Sequence, residues 1–385
     1  MKRKILLLVL FAFLYIGLTS HANVYADENI REKNVENVAK YALSFVNAIC
    51  GEKELTSGEV LEIKDETDSL SGYCIDILDH QTSYGYVIVK FSDNVPVVSE
   101  YCIEKGAKNP YEILIINNKL NRGSDLLYYS IGLNEYQVYS SQNEVMYGFD
   151  EKLGLSEFEL YKKNYEKYKK ESILEFVKNH SENLKDIDLN YSPLDGYTVI
   201  SDNYTGSYIN SDVIAGAYNI TYYCSADVNN AGLTYACSVV ALSNLMKYYK
   251  YMGKTNIGSN FSLLYSTLWN YAGTASDGST PNGNEAPAAM AYMANKGYSI
   301  SYDDYLWDTF SSFVQDTADN RPMLFTYEAY FNGNIDGHAT FCVGYTETSD
   351  YNYLRIADGW NYYLRYINFN GYNYTRKDGW SFTEA

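Results

Sequence analysis

Ala236-Cys-Ser-Val-Val-Ala-Leu-Ser-Asn-Leu-Met-Lys-Tyr-Tyr249 carries apolar side chains at 239, 240, 242, 245, 246 and 249, the spacing of a helix that buries one face. The residues before it, Asn229-Asn-Ala-Gly-Leu-Thr-Tyr-Ala236, have little helical character, so the pattern predicts a helix over 237–251 with Cys237 in its first turn. Two more helical patterns follow, near 285–296 and 305–318. After them the period changes to two, and 323–327, 338–345, 353–357 and 362–369 read as strands. Helices first and then a run of strands is the order of an α+β fold, not of alternating βαβ units.

Outward from this block, the chain divides. At 385 residues it is long enough for two domains. The stretch 35–48 is amphipathic, and 73–78, 84–90, 96–103, 127–131 and 136–139 have the alternation and β-branched content of strands, which makes the first half a small α+β unit. Between 156 and 188 Lys and Glu dominate, with apolar residues at helical intervals, so a long charged helix is expected there. The stretch 190–218 is rich in Ser, Asn, Asp, Gly and Tyr and reads as an exposed, cleavable joint.

Composition narrows the function. Met1-Lys-Arg-Lys4, the apolar run Ile5–Leu18 and Val24-Tyr25-Ala26 have the parts of a cleavable secretory signal, so export is expected. That run is shorter than the ~20 residues a spanning helix needs, and no second such stretch follows, so no membrane span is expected after signal removal. The net charge of −18 repels phosphate backbones, which argues against a nucleic-acid partner. Six cysteines are too few for a disulfide scaffold. They divide three and three between the halves, which leaves a free thiol in each half unless a bridge joins them. No phosphate-binding glycine loop and no zinc-spaced Cys/His cluster occurs, so no cofactor and no metal is expected.

Three residues could act together. A thiol in the first turn of a helix feels the positive end of the helix dipole, which favours thiolate; the ordinary alternative for Cys237 is burial as a structural residue. Of the four histidines only His338 lies in the C-terminal half, in Asp336-Gly-His-Ala-Thr-Phe-Cys-Val-Gly-Tyr345. A lone histidine at a turn is more often structural, but with Cys237 it offers a base for a nucleophile. The next strand ends in Ala357-Asp-Gly-Trp360, and a hairpin would bring Asp358 back to His338, to orient the ring, with Trp360 shielding that contact from water. Asp378, in a second Asp-Gly-Trp, is the rival.

The Cys237 block, then Gly337-His-Ala-x-x-x-Val-Gly-Tyr345, then a strand ending Asp-Gly-Trp, resemble papain-like cysteine peptidases and within them the streptopain family, with kinship to bacteriocin-leader peptidases. The resemblance covers about 228–369 and implies a papain-like fold, a helical part plus an antiparallel sheet. More loosely, the signal and first α+β unit resemble a zymogen's inhibitory prodomain. The organisation implied is a signal peptide over 1–26, a prodomain-like segment with charged linker over 27–190, and a papain-like peptidase domain over 191–385. Such peptidases usually carry a Gln six residues before the cysteine to stabilise the oxyanion; here that position is Ala231, and Asn230 is the substitute candidate.

The expectation is therefore a secreted cysteine endopeptidase made as a zymogen, acting on protein or peptide substrates. Cys237 is its nucleophile, His338 its acid and base, Asp358 its orienting residue, and its own N-terminal segment its intramolecular inhibitor. A transglutaminase-like acyltransferase shares the same residue order, and the missing Gln keeps open an inactive papain-like binding module.

Overall fold

The computed structural model describes residues 28–51, 53–65, 67–122, 125–130, 136–149, 152–154, 191–306, 309–331, 334–371 and 374–384. The expected signal peptide and the charged helix over 156–188 lie outside the described residues.

The described chain is mixed α+β, with seven α-helices and one large, mostly antiparallel sheet. The N-terminal half opens with α1, over 28–50. It continues with β1 (Leu55–Lys64), β2 (Leu70–Asp79), β3 (Thr82–Ser92), β4 (Val95–Ile103), α2 (Pro110–Asn117), β5 (Leu126–Ser130), β6 (Tyr136–Ser140), β7 (Val145–Tyr147) and β8 (Lys152–Gly154). The C-terminal half contains β9 (Tyr208–Val213), α3 (Ser225–Asn230), α4 (Cys237–Tyr251), α5 (Phe261–Ala272), α6 (Glu285–Asn295), β10 (Ile300–Leu306), α7 (Phe310–Ala318), β11 (Met323–Phe331), β12 (Asn334–Thr348), β13 (Asn352–Ala357), β14 (Arg365–Asn368) and β15 (Tyr374–Glu384).

The sheet runs β10-β15-β11-β12-β13-β14-β4-β3-β2-β1-β5-β6-β7-β8, with β9 also on β12. The two halves meet edge to edge, where Tyr366 and Ile367 of β14 pair with Tyr101 and Glu100 of β4. Local chemistry makes the hairpins: Asp93 and Asn94, the two residues between β3 and β4, both take positive φ, the mirror-image turn whose twist suits paired strands and which short polar side chains tolerate. Helix α4 packs on the sheet, burying Val239, Val240, Leu242, Leu245 and Met246 with Ala339, Phe341 and Val343 of β12.

The structure departs from the reading of the sequence at four points. Tyr305 lies in strand β10, and the helix expected over 305–318 begins only at Phe310; Tyr302, Asp303, Asp304 and Tyr305 are strand residues paired with β15. Asp378 lies within β15, where Asp-Gly, normally a turn signal, is held extended by pairing with β11 on one side and β10 on the other. Helix α5 was not anticipated. The stretch 190–218 is no free joint, since its first part is docked along α1 and the strands beneath. Asn34 bonds Thr198 and Ile200, Asn37 Nδ2 donates to Ile200 O, and Leu194, Ile200 and Tyr204 join the core formed by α1 and β2–β4. The longest exposed run of the stretch is 207–212.

Candidate active site

Ala236, extended at φ −147° and ψ 114°, precedes α4 and makes no side-chain cap hydrogen bond, so Cys237 stands at the positive end of the helix dipole. The next residue is pinned, Ser238 Oγ donating to Glu285 Oε1 at 2.8 Å from the start of α6. Antiparallel pairing of β11 and β12 sets Tyr327 opposite His338, with the two rings 5.7 Å apart. A cavity of about 470 Å³ is lined by both Cys237 and His338, with Tyr235, Glu285, Tyr327, Glu328, Trp360 and the loop 277–280 also in its wall.

His338 is 7 % exposed. Its Nε2 lies 2.8 Å from the main-chain carbonyl oxygen of Asp358. A carbonyl only accepts, so Nε2 carries the proton, and in the neutral ring Nδ1 is the basic nitrogen. Trp360 stacks on the imidazole at 5.1 Å between ring centroids and 14° between planes, Tyr235 stacks on Trp360 at 4.8 Å, and Phe149 of the N-terminal half stacks on Trp360 at 5.5 Å. Burial pushes the imidazole from its ordinary 6.5 down to about 4; the carbonyl of Asp358 works in the opposite direction, and the charge of Arg365 adds to the lowering.

Asp358 is placed beside His338 as expected, but with a different part of it in use. Its carboxylate faces away from that contact: Oδ1 accepts from the backbone N–H groups of Trp360 at 3.0 Å and Asn361 at 3.4 Å, and Oδ2 is 2.5 Å from Arg365 Nη2. The expected orientation of His338 by the Asp358 carboxylate is thus corrected to orientation by its main-chain carbonyl. The cause is the turn after β13, where the side chain folds back to cap the following N–H groups and only the carbonyl is left pointing at the ring. Asn230 ends α3 exposed and is not in the cavity wall, so the expected oxyanion role finds no support in its position. Asp378 binds Arg376 Nε at 2.5 Å and Asn282 Nδ2 at 3.3 Å.

Sequence reasoning missed Arg365, Glu100, Glu285 and Gly278. Only Gly278 carried a local signal, in Asp277-Gly278, a turn dipeptide. Its φ is +92°, and a Cβ there would lie 2.3 Å from Tyr235 O, so this glycine lets the loop approach the chain just before Cys237. Among the described residues, no group of three or more His, Cys, Asp or Glu side chains is arranged to hold a metal ion, and no helix is long and apolar enough to cross a membrane.

No family model and no curated protein matches this chain. Among solved structures, a mutant fragment of Prevotella intermedia prointerpain A aligns over 84% of this chain and 97% of its own length, at 10% identity and a TM-score of 0.39, a likeness too low to establish a common fold.

Proposed function

We propose that this chain is a cysteine endopeptidase of papain-like type, exported by the signal over 1–26 and made in a latent form. The observation that carries this reading is the single cavity shared by Cys237, at a helix start, and His338, whose Nε2 is tied to a carbonyl so that Nδ1 is its basic atom. In this reading His338 Nδ1 takes the Cys237 proton, and the thiolate attacks the carbonyl carbon of a peptide bond. Developing charge on the carbonyl oxygen is stabilised by the N–H end of α4. The proton passes to the leaving amine, the C–N bond breaks, and a thioester remains; water then attacks it with His338 as base, the C–S bond breaks, and the thiol is restored.

Latency belongs to the same proposal, with the segment 27–190 as the intramolecular inhibitor. It is supported by the stacking of Phe149 on Trp360, which covers His338, and by the low pKa of the imidazole, which leaves it a weak, uncharged base at neutral pH. The full chain, before and after nicking within 207–212, is to be treated with an epoxide inhibitor of cysteine peptidases and the adduct mapped. The expected result is an adduct on Cys237 that forms faster once the chain is nicked, together with peptide hydrolysis. No adduct in either form would leave a binding module, and amine incorporation without peptide cleavage would mark an acyltransferase.

A further inference from the structure

Glu100 and Arg365, 265 residues apart, are both fully buried where the two halves of the sheet meet. Arg365 Nη1 donates to Glu100 Oε1 at 2.9 Å, and the other end of the guanidinium, Nη2, lies 2.5 Å from Asp358 Oδ2. Glu100 is in turn held by two phenols: Tyr86 Oη donates to Oε1 and Tyr136 Oη to Oε2, each at 2.5 Å. The guanidinium also lies 5.6 Å from the centre of the Tyr136 ring. A buried guanidinium between two carboxylates is held from both ends, and losing either one leaves an N–H side of it without its acceptor in surroundings that cannot solvate it.

Asp358 is the point where this network touches the site, since its carboxylate belongs to the network and its carbonyl holds His338 Nε2. We propose that Glu100 is a positioning residue for His338, acting from the N-terminal half through Arg365 and the Asp358 turn. The inference rests on the reading of His338 as the reacting base. Without the Glu100 charge, the Nη1 side of Arg365 has no anion, the guanidinium shifts, and Asp358 Oδ2 moves with it. The carbonyl two bonds from the Asp358 Cβ then loses its register with Nε2. Glu100 also offsets, together with Asp358, the positive charge of Arg365, which lowers the basicity of the imidazole. The N-terminal half thereby controls how firmly His338 is held, whether or not it also covers the site.

The test uses the full-length chain labelled with ¹⁵N-histidine, reading the Nε2–H signal of His338 and its exchange with solvent. Assignment comes from its disappearance in His338→Ala. In Glu100→Gln, which keeps shape and removes charge, exchange is expected to quicken by about tenfold or more, as fits loss of a charge-assisted hydrogen bond, with backbone amide signals remote from 358–365 unmoved. Tyr86→Phe and Tyr136→Phe, which leave the ion pair but loosen Glu100, should each quicken it by less. Unchanged exchange in Glu100→Gln overturns the proposal; if that variant does not fold, unchanged exchange in both Phe variants does so. Because the readout needs no substrate, a chain that shows this coupling yet never reacts with the epoxide would keep the relay and lose the peptidase.

Discussion

His338 is held by the backbone of Asp358, its Nε2 2.8 Å from the carbonyl oxygen, while the Asp358 carboxylate faces Arg365. The amide left in Asp358→Asn retains that carbonyl and can still accept from the N–H groups of Trp360 and Asn361, but it breaks a fully buried ion pair. The variant should lose about 3 kcal/mol in urea denaturation, and because it cuts the link to Arg365, its folded molecules should react with the epoxide about tenfold more slowly than the parent's. A loss of reactivity of about 10⁴-fold, as when the acid of a Ser-His-Asp triad is replaced, would show that the carboxylate acts on the ring directly.

Cysteine reactivity separates the nucleophile from the structural thiols. Cys74, Cys102, Cys224 and Cys342 are buried, and burial pushes the thiols of Cys224 to about 11 and Cys342 to about 12. Cys50 is partly exposed, with its thiol also pushed upward by burial. Alkylation of the native, nicked chain at neutral pH should therefore modify Cys237 first, as read by peptide mapping. Cys237→Ala should abolish both labelling and hydrolysis, and Cys224→Ala and Cys342→Ala should keep them; the reverse outcome would move the nucleophile.

The depressed pKa of His338 has a consequence for stability. Above pH 6.5 the ring is neutral in both folded and unfolded chains and contributes nothing to the pH dependence. As pH falls from 6.5 towards about 4 the unfolded chain takes up a proton that the folded chain refuses, so stability drops by about 3 kcal/mol over this window and levels off below it. His338→Gln should lack this loss. Asp358 and Glu285, whose carboxyls burial pushes upward, favour the folded state on protonation, but both remain in the variant, so the difference between the two urea-denaturation curves isolates His338.

Gly278→Ala should impair the site more than the fold. Its Cβ would enter the space of Tyr235 O, two residues before the nucleophile, at a φ of +92°. Gly232, at φ +66° with nothing within 4 Å of an added Cβ, is the control for backbone strain alone. Both alanine variants should cost about 1–2 kcal/mol in denaturation, and only Gly278→Ala should slow epoxide labelling of Cys237 as well. Equal labelling rates in the two would remove the loop 277–280 from any part in placing Cys237.

Much of this protein was legible in local pattern. Helical spacing after Ala236 put Cys237 in a first turn, period-two runs marked β2 to β6 and β11 to β13, and the α+β order followed from their succession. Where local cues conflicted with pairing they misled: Asp378-Gly379 reads as a turn yet lies inside β15, and 305–318 reads as one helix yet begins as a strand, because ladder hydrogen bonds from distant strands outweigh a residue's own preference.

The amino-acid sequence by itself determined which side chains could react, since thiol, imidazole and carboxylate are properties of residues, and which segments could be helix or strand, since periodicity is read within a few turns. Only the tertiary structure decided which atom of Asp358 meets His338, that Arg365 and not the histidine takes its carboxylate, and that Glu100 completes the pair. Those outcomes depend on strand register and on the direction of one turn. Burial makes each unpaired charge costly, so the partner is whichever group the packed sheet brings within reach, and no spacing along the chain records it.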